Sequence, residues 1–281
     1  MRARPRRRRL AVAAAAAALT AGAGGAAGGF APAALANDAG SVTHAAGAVS
    51  ATLEWAAADG AGVADPRLSV VRDGTRYDLA IADICGEGCI LVPDDPGAAA
   101  SSSIVKVADL DGDGEPEVLV DTYSGGAHCC LTARVLTWDG TGYQPTDVAY
   151  GDVGYALEDA NGDGRPELVG QDPVFSYAFT AFADSAFPVQ VLQVDHGKVV
   201  DATGKFPKLV RADAGKLLKA LRKARRGDDI RGVLAAYVAD QYTLGRVATA
   251  HAEIAHQLRA GRVSKSFGPL LLKRLKAWHY R

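Results

Sequence analysis

The sequence predicts a mainly β protein of propeller-like antiparallel repeat units, partial or irregular in arrangement, followed by a C-terminal α-helical segment. Three observations predict it. A hairpin pattern recurs as LSVVRDGTRYDL at 68–79, VLTWDGTGYQPT at 135–146 and VLQVDHGKVVDA at 191–202. An acidic loop recurs as DLDGDGEPE at 109–117 and DANGDGRPE at 159–167. After Pro207 the apolar spacing changes from the period of a strand to that of a helix.

Taken in order, the first nine residues hold six arginines, and an alanine-rich apolar run follows from Leu10 to about Thr20. Ala34-Leu35-Ala36 supplies small residues where a signal peptidase cuts, so residues 1–36 read as a secretory signal. The adjacent arginines leave both the general secretory and the twin-arginine routes open. Residues 37–204 read as β structure. In each hairpin a β-rich arm meets Asp73-Gly74, Asp139-Gly140 or His196-Gly197, and glycine supplies the positive φ of a tight turn. Two of the hairpins follow an acidic loop, with further short strands between: EVLVDTYS and CLTARVL after the first, ELVG after the second. The chain thus predicts about three copies of a four-strand unit, the first without its loop, and a period near fifty residues points to stacked or propeller-like units. The aromatic stretch from Phe175 to Phe182 alternates at period two and reads as the core face of a strand. Leu91–Ser103 reads as a loop.

Residues 205–281 read as helices. Asp213 is placed to cap the first, and Asp228 or Asp229 the second. Ile230, Val233, Leu234, Tyr237, Val238 and Tyr242 recur at amphipathic spacing along that second helix. Two more helices are predicted around 248–260 and 269–279, as a small domain or as a cover for the β part.

Charge divides at the same boundary. From Asp38 to Asp201 there are 27 acidic and seven basic residues, a net −20, whereas from Lys205 onward 18 basic residues face five acidic ones, a net +13. The basic tail suits an anionic polymer such as teichoic acid, phospholipid or DNA. It also suits docking on the acidic β part of the same chain, or a solvated helical surface. The partners this leaves are a protein or an anionic cell-envelope polymer, with no signal for sequence-specific nucleic-acid binding and none for oligomeric state. No apolar run after the signal reaches the ~18 residues that cross a bilayer.

The four cysteines, Cys85, Cys89, Cys129 and Cys130, are disulfide candidates in an exported chain, with three connectivities open. An alternative use is an envelope hydrolase or metalloenzyme built on His128, Cys129 and Cys130. Successive strand residues face opposite sides, which keeps Cys129 and Cys130 from one metal on a regular strand. HAEIAH at 251–256 places its histidines about 140° apart on a helix, not on one face as in HExxH, and reads as a solvated surface. GxSxG, P-loop and dinucleotide fingerprints are absent.

The acidic loops carry the chemistry. A hard cation such as Ca²⁺ takes six to eight oxygens at about 2.3–2.6 Å, which a short segment delivers from alternate side chains around a sharp glycine turn. Asp109, Asp111 and Asp113 hold positions 1, 3 and 5, Gly114 position 6, the Glu115 carbonyl position 7 and Glu117 position 9. In the second loop Asp159, Asn161 and Asp163 take 1, 3 and 5, with Gly164, Arg165 and Glu167 at 6, 7 and 9. Asn161 keeps an oxygen but removes a charge, so the first loop is expected to attract the ion more strongly. An EF-hand is excluded: position 12 is Val120 or Gly170 where a bidentate Glu is needed, and strands follow where helices should. Mg²⁺ dehydrates reluctantly and is the weaker candidate.

With an apolar strand after each, DLDGDGEPE and DANGDGRPE resemble the calcium loops of the FG-GAP/VCBS repeat family, known as blades of integrin α-chain propellers. The resemblance covers Asp109 to Asp201. It implies Ca²⁺ held by Asp109, Asp111, Asp113 and Glu117, and by Asp159, Asn161, Asp163 and Glu167. The Phe-Gly and Gly-Ala-Pro landmarks of that repeat are absent, and three units are fewer than a closed seven-blade ring. SGGAHCC resembles a motif of uncharacterised secreted bacterial proteins that carry such loops. The function expected is a secreted calcium-binding repeat protein, acting as a binding or structural module at or outside the cell envelope.

Overall fold

A computed structural model describes residues 39–58, 63–85, 104–123 and 131–281. The predicted signal, the 91–103 loop, His128, Cys89, Cys129 and Cys130 lie outside the described residues. Cys85 ends the four-residue helix α1 (Ala82–Cys85), so the disulfide and His/Cys readings meet no described side chain.

Among the described residues, three four-stranded antiparallel sheets make up the β part. The first joins β1 (Gly40–Ala46), β2 (Val49–Ala56), β3 (Ala64–Arg72) and β4 (Thr75–Leu79) in sequence order. The second joins β5 (Val105–Ala108), β6 (Glu117–Tyr123), β7 (Leu131–Trp138) and β8 (Tyr143–Gly151). The third joins β9 (Tyr155–Glu158), β10 (Glu167–Gln171), β11 (Val189–Asp195) and β12 (Lys198–Asp201). Each acidic loop connects the first two strands of its sheet, and the first sheet has a two-residue turn there instead, as the repeat predicts.

The predicted turns hold at Asp73-Gly74 and His196-Gly197, where both residues of each pair have positive φ, the pattern of a type I′ turn. At Asp139 the turn is a four-residue loop instead of a dipeptide. The Asp139 carboxylate accepts the N–H groups of Thr141 and Gly142, which replaces the ladder bonds of a tighter hairpin.

Side-chain alternation stacks the sheets in series. Val118 and Val120 of β6 face the first sheet, in a core with Ala51, Leu53, Leu68 and Val70. Leu119 faces the other way, packing with Ala133 and Val135 against Leu168, Leu192 and Val194 of the third sheet. The middle sheet is therefore buried on both faces, which is why Val118-Leu119-Val120 is a continuous apolar run.

Two buried cations tie the layers together. Arg134 on β7, 5 % exposed, donates to both carboxylate oxygens of Asp147 and of Asp83, and to the Ala80 carbonyl at 3.0 Å. All five guanidinium N–H groups are thereby used, and Asp83 and Ala80 belong to the first unit. Lys106 on β5, 4 % exposed, meets Asp121 Oδ2 at 2.6 Å, and Tyr155 Oη of the third sheet donates to Asp121 Oδ1 at 2.8 Å.

The aromatic stretch is not a strand. It forms two 3₁₀ turns, Pro173–Phe175 and Phe182–Asp184, and Phe175 and Phe179 are buried among the C-terminal helices while Tyr177 is exposed. Helix packing overrides the period-two pattern. The Asp172 side chain caps the first turn by accepting the Val174 N–H.

Helices α2 (Pro207–Lys223), α3 (Arg231–Thr243), α4 (Val247–Arg259) and α5 (Phe267–Ala277) complete the chain. Asp213 lies inside α2, not at its start. Proline at the first helical position begins the helix earlier, and the Asp213 carboxylate accepts the Val189 N–H of β11. The N-cap of the next helix is Ile230, not Asp228 or Asp229; Asp229 stands one residue before it and accepts the Arg231 N–H at 3.1 Å. α3 is buried on almost every side instead of amphipathic, because α2, α4, the second 3₁₀ turn and the C-terminal aromatics surround it. The helices join the β part through apolar contacts and through Tyr280, whose Oη donates to Asp172 Oδ2 at 2.7 Å. Among the described residues no helix is long and apolar enough to cross a membrane.

Candidate metal centre

The first loop bends because Gly112 and Gly114 both take positive φ. The bend turns main-chain N–H groups inward. Gly112 N donates to Asp109 Oδ1 at 2.7 Å and Gly114 N to Asp109 Oδ2 at 3.0 Å. Asp113 N reaches Asp111 Oδ1 and Glu115 N reaches Asp113 Oδ1. These bonds preset the carboxylates without neutralising them. Asp109, Asp111 and Glu117 each bring an oxygen within 4.8 Å of the others. Two oxygens that share a Ca²⁺ at about 2.3–2.6 Å stand at most about 5 Å apart, so the spacing fits one ion.

Glu117 is the unusual member. It opens β6, is 2 % exposed, and its Oε2 accepts the Leu110 N–H at 2.7 Å. Loss of hydration pushes its carboxyl up to about 8, and Asp111, Asp113 and Asp109 push in the same direction. Burial and the nearby Asp113 also raise Asp111. A buried carboxylate held against like charges needs a cation to remain ionised at neutral pH. The donor set is therefore all oxygen, anionic and partly dehydrated, which fits a hard divalent ion.

Asp113 adjoins this trio beside Asp111. Glu115 contributes no side chain to it: its carboxylate pairs with Arg72 of β3, so only its main-chain carbonyl can face an ion. The hairpin turn of the third sheet also reaches the loop, because Asp111 accepts the Gly197 N–H and Thr137 Oγ1 donates to the Gly197 carbonyl at 3.3 Å.

The second loop copies the backbone but not the charge balance. Asp159 accepts from Gly162 and Gly164, and Glu167 Oε2 accepts from Ala160 N, as in the first loop. Arg165, however, sends its guanidinium to Asp163 Oδ2 at 2.8 Å and toward the Asp111 carbonyl at 3.5 Å. The Asn161 amide donates to the same Asp163 oxygen. Glu167 Oε1 accepts the Gln193 amide at 3.0 Å. The β-ladder places Gln193 opposite Glu167, and its counterpart opposite Glu117 on β7 is Thr137, which turns to Gly197 instead. Asp163 is held down to about 2, with the Arg165 hydrogen bond as the largest cause. Among the described residues the first loop alone brings three ligand groups to metal spacing.

Sequence reading missed Arg134, Lys106, Asp121 and Gln193. A lone cation inside the apolar run LTARVLTW was the visible signal for Arg134. The two histidines of HAEIAH are exposed while Ile254 between them is buried in the helical core, and His251 Nε2 stands 2.8 Å from Tyr242 Oη.

Residues 210–268, which hold α3, α4, most of α2 and only the first two residues of α5, match a family model described as the sll0997 C-terminal domain. The chain is 35 % identical over 152 residues to the probable thylakoid lumen protein sll0997 of Synechocystis sp., a match covering 52 % of this chain and 45 % of that protein. It is 34 % identical over 88 residues to the uncharacterized protein y4bJ of Sinorhizobium fredii, covering 31 % of this chain and 14 % of that protein. The chain spans less than half the length of either relative. No solved structure matches it.

Proposed function

We propose that the chain is an exported calcium-binding β-repeat protein whose role is binding or structural. The observation that carries this is the nearly buried Glu117 carboxylate, gathered with Asp109 and Asp111 at a spacing one Ca²⁺ spans. Bound there, the ion would cancel charge that the fold otherwise holds at a cost. It would also fix the β5–β6 connection against Arg72 of the first sheet and Gly197 of the third, making the three layers one rigid surface. Sheets stacked face to face, with the acidic loop at the same place in two of them, support a propeller-like relation of the kind FG-GAP/VCBS repeats have. The arginine-rich and alanine-rich N-terminus, and the lumenal description of the Synechocystis relative, support an exported compartment.

The test is calorimetric titration of the EDTA-treated chain with calcium chloride. Heat with saturation in the range of extracellular modules, about 10⁻⁴–10⁻³ M, is expected. Absence of heat at millimolar calcium, with an unchanged melting curve, refutes the reading.

A further inference from the structure

Helix α2 carries Lys208, Arg211, Lys216, Lys219, Arg222 and Lys223, all exposed. At 100° per residue these six fall within an arc of about 140°, and the run from Lys208 to Arg222 is about 21 Å long at 1.5 Å per residue. The opposite arc holds the buried Val210, Ala214 and Leu221. The one acidic residue of the helix, Asp213, is turned away from the cationic face, toward β11 and Asp240. None of the six cations forms an ion pair among the described residues, although Lys216 lies close enough to Asp213 to act on it electrostatically. The face is thus not spent on the acidic sheets of its own chain, to which the helices attach through apolar contacts, Asp213 and Tyr280.

We infer that the outer face of α2 is a docking surface for a linear polyanion bearing phosphate groups. Three features select that partner. The cations run along a line and do not converge, which suits a chain of charges and not a single small anion. The other exposed residues within that arc are Ala212 and Gly215, small enough to let a polymer lie against the helix. The same face offers no bulky apolar side chain to enter a bilayer, and no aromatic anchor of the kind that centres a protein–protein interface.

The experiment measures binding of the full chain to fluorescently labelled inorganic polyphosphate by anisotropy. It is done in EDTA, so that calcium bridging to the acidic loops makes no contribution and failure here leaves the calcium proposal untouched. If four phosphates are engaged, a slope of about −0.7 per contact raises Kd about 50-fold between 50 and 200 mM salt. The variant Lys208→Ala/Arg211→Ala/Lys219→Ala/Arg222→Ala is expected to bind at least about tenfold more weakly. The control Arg259→Ala/Lys265→Ala/Lys273→Ala/Lys276→Ala, with the same loss of charge from other exposed positions, is expected to change Kd less than about threefold. Circular dichroism checks that both stay helical, and glutamine replaces alanine at the same positions if the first variant does not fold. Equal loss in the two variants, binding insensitive to salt, or no binding overturns the inference. So does tighter binding to phosphatidylglycerol vesicles than to polyphosphate.

Discussion

Replacing Glu117 by Gln separates the electrostatic role of this carboxyl from its shape. Glutamine is nearly isosteric and still accepts the Leu110 N–H. Without calcium the wild-type carboxyl is pushed up to about 8 by burial, so at pH 7.5 much of it is neutral already and Glu117→Gln costs little or slightly stabilises. With calcium the two proteins part. For Kd between about 0.1 and 1 mM, 5 mM calcium stabilises the wild type by about 1.1–2.3 kcal/mol, from RT ln(1 + [L]/Kd). At roughly 2–4 °C per kcal/mol in a chain of this size, the melting temperature rises about 2–9 °C. Glu117→Gln is expected to lose more than half of that rise while its melting temperature in EDTA equals or exceeds the wild type's. Glu167→Gln is the comparator and keeps most of the rise, because Gln193 already meets Glu167 Oε1 and Arg165 meets Asp163. The assay is differential scanning calorimetry at pH 7.5 in EDTA and in 5 mM calcium. A full calcium shift retained by Glu117→Gln would refute the reasoning, as would a variant much less stable than wild type in EDTA.

Arg134→Ala removes five hydrogen bonds, three of them to the first unit, leaving Asp83 and Asp147 partly exposed and able to rehydrate, so urea denaturation should show a loss of about 2–4 kcal/mol. Arg134→Lys should recover less than half, since one ammonium cannot reach both carboxylates and a carbonyl; recovery to wild type would disprove the bidentate account. Asp240 is 1 % exposed beside Asp213, and burial pushes its carboxyl up to about 9. The folded chain therefore keeps a proton that the unfolded chain releases above its ordinary range. Stability should fall as pH rises from about 4 to about 9, by at most about 1.4 kcal/mol per unit. Asp240→Asn should flatten that slope and stabilise the chain at pH 8, and an unchanged slope in urea melts at several pH values counts against the pair. Gly170 sits where an added Cβ would lie 2.7 Å from the Gly154 carbonyl and 3.2 Å from Tyr150 and Tyr155. Gly170→Ala should cost about 1–3 kcal/mol by overpacking, and a variant as stable as wild type in thermal melts would contradict that crowding.

Much of the fold was legible where local chemistry decides it. Asp73-Gly74 and His196-Gly197 need positive φ that glycine-containing dipeptides accept at little cost, so their hairpins were readable. EVLV and LTARVL carry enough β-branched apolar residues to be strands wherever they pack. The aromatic stretch misled because period two is only a tendency. Phe175 and Phe179 gain more by entering the helical core than by joining a sheet, and that core is built by residues some forty to one hundred positions later. Asp213 misled for a similar reason, since its partner is the Val189 N–H across the junction.

The order of residues alone sets the alternation of carboxylates and the glycine bend of each acidic loop, because both lie within nine residues. It also determined the unit period and the change to helix near Pro207. That the two loops differ follows from contacts between elements distant in sequence. The burial of Glu117, the approach of Gly197 to Asp111, the pairing of Glu115 with Arg72 and the capture of Glu167 by Gln193 all join residues from different strands or sheets. Charge compensation depends on distance through space, and a strand register of a single residue moves a side chain to the other face. Two nearly identical motifs can therefore differ in what each has left to offer a cation.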